Sequence, residues 1–524
     1  MQLPAISAAR RLGCTVHVAD ADPQCPGASR ADRFHPVDLQ DREGLLLAAE
    51  GITDLAGVFT AGTDFSASVA YVAERMGLPG IPFEAALDAT DKSRMRAVLR
   101  AAGVAVPRFV ALSGPEGLEQ CRRVLRCPLV VKPVDNMGAR GVVSVSDWSQ
   151  LPEAVQAALP LSRTRKAIVE EFIPGKEYSL DAIVLDGQVH VTGVAERHIF
   201  FPPCFVEMGH TIPATLREED RLLLERGFAQ AIDALGIVSG AAKGDLFLDH
   251  SRGEPLVVVG EVAARLSGGY MSGWTYPLAT GVPLTEIGVR VALGEKPPPA
   301  LFRAIDDFVV AERALISCPG TVTGVEIPEG TEESVDALFI RCKPGDRVRS
   351  PLNNVEKVAN AIARGGSMEE AERRALAALD RILIRLAPGD AETDRFLFSE
   401  SGAHRFARYR VRSESAGRSL SALPPYRGDP AYMRAAATRG EALVVLPPEG
   451  WGGGAFLEKA YPTLPAREVL GAMVEDGLIG FAENDRAAPA LGSLFWNAFI
   501  AAGKQGVVYL LDTLSAGLEL GEDR

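Results

Sequence analysis

Cysteine is sparse in this chain: seven residues, at positions 14, 25, 121, 127, 204, 318 and 342, with no CxxC pair among them. An odd, scattered set argues against a disulfide framework or a zinc site, and a reducing cytoplasm is the expected setting. Excess positive charge is missing too. Acidic residues outnumber basic ones by 68 to 55, for a net charge of −13, whereas generic nucleic-acid binding wants a basic footprint. No apolar run is long enough to span a bilayer, and the first residues lack the long apolar segment of a signal peptide. The rest is ordinary for a globular protein. Hydrophobic residues make up 47% and charged residues 23% of 524, enough for three or four structural units.

The densest chemistry lies between Gly240 and Ser272. Two short apolar runs, Leu246–Leu248 and Leu256–Val259, flank a polar turn containing Gly253 and Pro255, which predicts a β-hairpin. A turn centred on Gly253 sets Asp245 opposite Glu261. Opposed residues share a face, so two carboxylates would lie roughly 5 Å apart. They repel unless a hard cation lies between them. Mg²⁺ is the usual one, held by one or two carboxylates plus substrate phosphates. Arg265 comes four residues later, then Ser267, Gly268 and Gly269. A fixed cation beside flexible backbone suits a transferring phosphoryl group. A surface hairpin with solvated acids explains the same spacing.

Taken in order, Leu3, Ile6, Ala9 and Leu12 predict an opening helix over residues 1–13, stopped by Gly13. A strand over Thr15–Ala19, a helix near Asp41–Glu50 and a strand at Gly57–Thr60 follow, an alternation that implies a parallel sheet. A Rossmann-like half should begin with a strand and a glycine-rich turn. This chain begins on the helix after that turn, so Met1 is expected to be an internal start with the first strand missing. Asp91–Ala102 places Met95, Val98, Leu99 and Ala102 at helical spacing, with Thr90 or Asp91 as the cap and Gly103 as the stop. Lys92 in its first turn opposes the helix dipole unless an anion is near; a solvent-facing lysine is the plainer reading. Leu129–Pro133 predicts a buried strand that carries Lys132 near its end. Gly138 and Gly141 in the next loop let backbone N–H groups approach phosphates. A strand from Ala167, a turn at Pro174-Gly175 and a strand to Leu185 come next, closed by a hairpin turn at Asp186-Gly187. Between Val194 and Thr211, an apolar and aromatic stretch holds Arg197, His198, Glu207 and His210. It is a substrate wall or ordinary packing with satisfied polar groups.

Pro297-Pro298-Pro299 marks a linker. Strands are expected near Phe308–Leu315, Thr321–Ile327 and Val335–Lys343. A helix with Val355, Val358, Ala359 and Ile362 on one face follows, then a helix boxed by Ser367 and Glu370. Beyond Pro388, Ala407, Tyr409 and Val411 alternate with Arg408, Arg410 and Arg412, a strand with one basic face that either binds a partner or an anionic group or is simply solvated. Helices over Ala466–Leu478 and Leu494–Ala502 and a short buried strand at Val507–Leu511 are expected there, without a catalytic constellation.

Together these stretches resemble the ATP-grasp superfamily of ligases, of the biotin-carboxylase-like and carbamoyl-phosphate-synthase-like kind. The resemblance rests on the opening Gln2–Gly13, Lys92 behind Asp91, the strand and glycine loop around Lys132, the string Glu170–Ser179, and the hairpin of Asp245 and Glu261. It covers roughly residues 1–388. It implies a fold of α/β and α+β class: a Rossmann-like pre-ATP-grasp domain over 1–87, two ATP-clamping lobes over 88–300, an α+β lobe over 301–388, and an additional domain over 389–524. The resemblance further implies that Lys92, Lys132, Gly138, Arg140 and Gly141 meet the phosphates of ATP. Backbone around Glu171, Phe172 and Ile173 would meet adenine, with Glu170 near its amino group and Glu177 on the ribose. Asp245 and Glu261 would hold Mg²⁺, or Mn²⁺. Arg265 and Lys132 would stabilise the transferring group, and Arg197, Glu207, His210, Ser267, Gly268 and Gly269 would touch substrate. The family motif usually reads Glu-x-Asn-x-Arg. Ala263 takes the central position here, which leaves one or two metals open; Lys243 stands where many relatives carry histidine.

The activity so implied is an ATP-dependent C–N ligase acting through an acyl phosphate. Phosphoribosylamine–glycine ligase-like and amino-acid ligase-like chemistry both fit. Its partners would be a small carboxylate and an amine, with no nucleic acid and no membrane, and relatives with this lobe are often homodimers. No biotin-carrier Met-Lys is present, which speaks against a complete carboxylase. A small-molecule kinase and a non-catalytic nucleotide-binding protein are the alternatives.

Overall fold

A computed structural model gives the fold over residues 2–251, 253–398, 405–482 and 489–518. The first unit holds α1 (Leu3–Arg11), β1 (His17–Asp20), β2 (Arg33–Pro36), α2 (Arg42–Glu50), α3 (Ser66–Arg75) and α4 (Phe83–Asp88). β1 and β2 pair in parallel, and Asp41 caps α2 by accepting from the Gly44 N–H. Met1 of the expected opening helix lies outside the described residues. Gly57–Thr60, expected as a strand, joins no ladder. A Cβ on Gly57 would sit 2.4 Å from the Ala292 carbonyl oxygen, so this stretch is packed onto a helix end. Ala61, just after it, bridges in parallel to Leu266.

The next unit runs α5 (Lys92–Ala101), β3 (Phe109–Leu112), α6 (Leu118–Val124), β4 (Leu129–Pro133), β5 (Val143–Val145), α7 (Leu151–Ala158) and β6 (Ala167–Glu171). Its strands form an antiparallel sheet of order β3-β6-β4-β5. Asp91 caps α5, accepting from the N–H groups of Ser93 and Arg94. The buried face of α5 is Lys92, Met95, Arg96 and Leu99, an i, i+3, i+4, i+7 stripe in which two of four positions are charged.

An eight-stranded antiparallel sheet follows, built from β7 (Lys176–Leu185), β8 (Gln188–Phe200), β9 (Val206–Ile212), β10 (Gly240–Asp249), β11 (Leu256–Ala263), β12 (Val309–Leu315), β14 (Ala337–Ile340) and β16 (Ala359–Gly365), in the order β11-β10-β7-β8-β9-β12-β16-β14. Asp186 and Gly187, with φ of 50° and 79°, make the tight β7–β8 turn that needs two left-handed residues. The helices here are α8 (Glu218–Ala234), α9 (Tyr276–Thr280), α10 (Leu284–Ala292) and α11 (Met368–Arg381). β13 (Gly320–Glu326), β15 (Arg347–Val348) and β17 (Leu383–Leu386) make a small sheet of their own. The expected boundary at residue 300 therefore runs through one sheet. Val355–Ile362 is not a helix: its apolar residues lead into β16, which pairs with β12 and β14, and ladder pairing overrides a spacing that fits both periods. Ser367 caps α11 by accepting from the Glu370 N–H, and the Glu370 carboxylate accepts from the Gly366 N–H.

Past residue 388, Val507–Leu511 lies in a helix, Lys504–Ser515, rather than a strand. Buried apolar residues at 507, 508, 510 and 514 fit helical spacing once the run is longer than five. Nor is the row of arginines fully solvated. Arg408 is buried, bonded to Asp380 and Thr463. Residues of 318–398 and 409–514, Leu379, Tyr409, Trp496 and Leu510 among them, share one hydrophobic core.

β10 and β11 set Asp245 directly opposite Glu261. The register is not uniform. Leu248 pairs with Val257 and Leu246 with Val259, and a bulge between Asp245 and Leu246 adds the residue that aligns the carboxylates. Gly260 is that residue, and a Cβ there would lie 2.6 Å from the Phe247 ring and 3.0 Å from the Asp245 carbonyl oxygen. Gly260→Ala is expected to destabilise the protein by about 1–3 kcal/mol through overpacking at the bulge, read from the urea midpoint.

Candidate functional site

Side chains alternate across a sheet, so one face of the eight-stranded sheet collects Glu261 and Ala263 from β11, Lys243 and Asp245 from β10, Glu177, Ser179 and Asp181 from β7 and Arg197 from β8. Cross-strand pairs do the aligning: Lys243 with Ala263 and Asp181, Asp245 with Glu261 and Ser179. Lys243 is thus opposite the alanine that interrupts the family motif. Its ammonium bonds Asp245, which also accepts from Ser179.

Arg197 is the cation at the centre of this face. It bonds Glu177, lies 3.0 Å from Glu207 Oε2, and reaches Asp245 Oδ2 at 3.1 Å. Burial opposes its charge, but Asp245, Glu177 and Glu207 hold its pKa well above the ordinary value. Burial raises the Glu177 carboxyl despite Arg197. Glu207, buried too, is drawn down to about 2 by Arg197 and Lys357. His210 has partners that sequence did not reveal: Thr275 Oγ1 at 2.9 Å and Glu312 Oε2 at 3.3 Å. His198 meets Thr211 Oγ1 at 3.0 Å, and burial, with Arg313 and His210 nearby, lowers its pKa to about 3.

The unit of α5 and the four-stranded sheet supplies two lysines. Lys92 is 5% exposed, not solvent-facing. Its Nζ donates to the Asn136 carbonyl at 2.9 Å and lies 3.3 Å from Glu261 Oε1. Desolvation alone would raise the Glu261 carboxyl, but Lys92, Lys243, Lys132 and Arg265 hold it well below the carboxylate range. Lys132 Nζ pairs with Glu170 Oε2 at 2.7 Å, and Arg96 Nε with Glu170 Oε1 at 2.7 Å. Glu170 is therefore the counter-ion of a buried triad. Arg96 was missed in the sequence; the signal was a second charge on the apolar stripe of α5. Desolvation lowers the Lys132 pKa despite Glu170. The Glu171 N–H donates to the Arg108 carbonyl at 2.9 Å, and its carboxylate accepts from the Arg126 N–H. Phe172 is 39% exposed and stacks toward Phe205 at 6.5 Å; Ile173 follows at the end of β6.

Gly138 and Gly141, with φ of 66° and 73°, shape the loop after β4. Gly138 accepts from the Asn354 N–H at 3.0 Å, and Asn354 Oδ1 accepts from the Glu207 N–H. Arg140 turns to Asp64, its Nη2 3.1 Å from Oδ2. Arg265 donates from Nε to the Thr63 carbonyl at 3.0 Å. Gly268 packs where a Cβ would meet Gly62 Cα at 3.3 Å, and Gly269 takes the left-handed φ of 60°. Ser267 is wholly buried, its N–H 2.8 Å from Asp181 Oδ1 and its hydroxyl on Oδ2. It anchors the segment after β11 to β7.

Chemically, Asp245 and Glu261 offer two hard oxygen groups side by side, ringed by lysine and arginine. Among the described residues no cluster of three or more His, Cys, Asp or Glu side chains could hold a metal. Two carboxylates completed by phosphate oxygens and water is a Mg²⁺ mode of binding, and the surrounding cations suit a polyphosphate. The donor set fits.

Residues 89–269 match the family model described as the ATP-grasp domain. This chain carries an ATP-grasp domain. Behind it, residues 313–387 match the model of L-amino acid ligase C-terminal domain 2. The L-amino acid ligase structure from Bacillus licheniformis superposes with a TM-score of 0.62 at 25% identity, over 73% of this chain and 95% of that one. Phosphoribosylglycinamide synthetase from Anaerococcus prevotii, at 19% identity and a TM-score of 0.59 over 74% and 97%, shares the fold. In sequence, the carbamoyl phosphate synthase large chain, N-terminal section, of Methanopyrus kandleri is 26% identical over 60% of this chain and 53% of its own length. Mouse (Mus musculus) carnosine synthase 1 is 25% identical over 59% and 40%. The chain spans about half the length of the curated relatives it matches. No described helix is long and apolar enough to cross a membrane.

Two tests follow from the buried charges of the ATP-grasp domain. Glu170→Ala leaves Arg96 and Lys132 unpaired in a dry site, and stability is expected to fall by about 3–5 kcal/mol in chemical denaturation. Burial raises the Asp181 carboxyl to about 6, although Ser267 bonds it. A raised folded pKa means stability is fully present below the unfolded value of 3.8 and is lost as pH rises through about 6. Asp181→Asn should lack this slope. Between pH 4.5 and 7, wild-type stability should drop relative to the variant by roughly 2 kcal/mol, read from paired urea midpoints.

Proposed function

We propose that this chain is an ATP- and Mg²⁺-dependent carboxylate–amine ligase that forms an amide or peptide bond on small molecules through an acyl phosphate. One observation carries the reading: within an ATP-grasp domain, the opposed carboxylates Asp245 and Glu261 stand among Lys92, Lys132, Lys243 and Arg265. The L-amino acid ligase model at residues 313–387 and the L-amino acid ligase structure support the same class. In this reading residues 1–87, 88–300 and 301–388 act as one catalytic unit, with the described residues beyond 388 packed against its last lobe.

The substrate carboxylate attacks the γ-phosphorus, and the bond to the ADP oxygen breaks. The amine nitrogen then attacks the acyl carbon, inorganic phosphate leaves, and the amine gives up its proton. No enzyme nucleophile is needed, because positioning and electrostatics suffice for phosphoryl transfer. Bound Mg²⁺, held by Asp245 and Glu261, would neutralise triphosphate charge. Lys92 and Lys132 bind phosphate oxygens together with N–H groups of the loop at Gly138 and Gly141. Arg265 meets charge that develops on the transferring group. Phe172 and Ile173 lie along the adenine edge, and Glu177 receives the ribose.

The test is ADP release from Mg-ATP with pooled small carboxylates and amino acids. Release should need an acid and an amine together and should fall at least about 100-fold in Glu261→Ala, while the variant stays folded. Phosphorylated acid accumulating without an amine would establish a kinase instead. ATP binding without release across the pool would leave a nucleotide-binding protein.

A further inference from the structure

The turn between β8 and β9, residues 201–205, touches three parts of the chain at once. Phe201 takes a left-handed backbone with φ of 69°. That conformation is strained for a bulky side chain and persists only where its surroundings fix it. Here the surroundings come from beyond residue 388. Phe201 is 4% exposed, and its ring packs against Phe406 and Tyr461, both with centroids 5.1 Å away. Tilted and edge-on rings at this spacing attract each other. The two partners are themselves held. Phe406 precedes the strand Tyr409–Val411, Tyr461 follows the strand Leu457–Lys459, and these strands pair. Arg408, buried between them in sequence, bonds Asp380 of α11 and Thr463.

The following residues of the turn reach the other way. The Pro203 carbonyl accepts from the Ser144 N–H at 2.8 Å, and Cys204 bridges antiparallel to Val143. Val143 and Ser144 belong to β5, the edge strand of the four-stranded sheet, so the turn extends that sheet across its open edge. β5 begins directly after the loop that carries Gly138 and Gly141. Phe205 then stacks toward Phe172, just past β6. Phe406 and Tyr461 lie outside the segments that match the family models, 89–269 and 313–387. We propose that the unit beyond residue 388 positions the glycine loop for nucleotide, with Phe201 as the positioning residue. Phe406 and Tyr461 hold its ring, and its backbone sets Pro203 and Cys204 on β5. Without the ring contact the turn leaves β5, and the end of the glycine loop samples several positions. Nucleotide binds only the fraction that is in place, so its apparent affinity falls by that fraction. The proposal rests on the ATP-binding part of the ligase reading and on neither the acid nor the amine.

The experiment uses the full chain and reads two quantities: hydrogen exchange at the Ser144 amide without nucleotide, and Mg-ADP affinity by calorimetry. Two variants act from opposite sides of the contact. Phe201→Gly tolerates the left-handed backbone and removes the ring. Phe406→Leu keeps an apolar side chain and removes one ring partner, and does not depend on how Phe201→Gly folds. A third, Met473→Ala, opens a cavity in a separate core cluster of the C-terminal unit. Both contact variants should exchange Ser144 at least about tenfold faster and bind Mg-ADP about three- to tenfold more weakly. The Val169 amide of the interior strand β6 should exchange as in wild type. Met473→Ala should lower the urea midpoint and leave both quantities unchanged. The proposal is overturned if neither contact variant quickens Ser144 exchange, if Met473→Ala quickens it as much, or if exchange quickens while Mg-ADP affinity stays at the wild-type value. Weakened Mg-ADP binding in a chain that releases ADP with no acid–amine pair would keep the proposal and remove the ligase reading. ADP release that needs acid and amine, with an unchanged KM for ATP in both contact variants, would do the reverse.

Discussion

Three carboxylates from three strands converge on one guanidinium. Arg197 holds Glu177, Glu207 and Asp245 together, and without it the polar face of the large sheet would carry acids stacked against acids. Charges taken out of water are tolerated only when paired and bonded. The pairing here propagates. Asp245 is also on Lys243, Glu261 is on Lys92, and Lys92 holds the glycine loop at Asn136. The glycine loop is thereby tied to the carboxylates proposed to hold a metal.

The same logic places the first unit. Buried alanines of α3 and α4 pack against the large sheet, and a short run of backbone meets the segment after β11: Ala61 beside Leu266, Gly62 against Gly268, Thr63 accepting from Arg265. The two glycines are in van der Waals contact, and a Cβ on Gly268 would meet Gly62 Cα at 3.3 Å, close enough that the neighbouring backbone would have to give slightly. Next to this run, Arg140 and Arg163 from the other side compete for the one carboxylate of Asp64.

Much of the site was legible because strands have a period of two and hairpins have few turns. The opposition of Asp245 and Glu261 could be read from residue spacing, although the structure reaches it by a shorter turn plus a bulge at Gly260. Lys132 at a strand end and Asp91 as a cap were equally local matters. Glu170 was not legible, because its partners Arg96 and Lys132 come from α5 and β4, and nothing in the string around Glu170 says which way a strand residue faces. Val355–Ile362 was misjudged because short apolar runs fit helix and strand alike, and the open edges of β12 and β14 decided the matter.

The sequence by itself determined the order of elements, the caps, the turns that demand glycine, and which residue types could meet a phosphate or a divalent cation. Those are properties of neighbours along the chain, set by local sterics and periodicity. Only the tertiary structure decided which charges neutralise which. Ser267 went to Asp181, Arg140 to Asp64, and Lys243 into the space opposite Ala263. Electrostatic pairing in a dry interior depends on distances of a few ångströms between residues tens of positions apart, and no spacing rule carries that information.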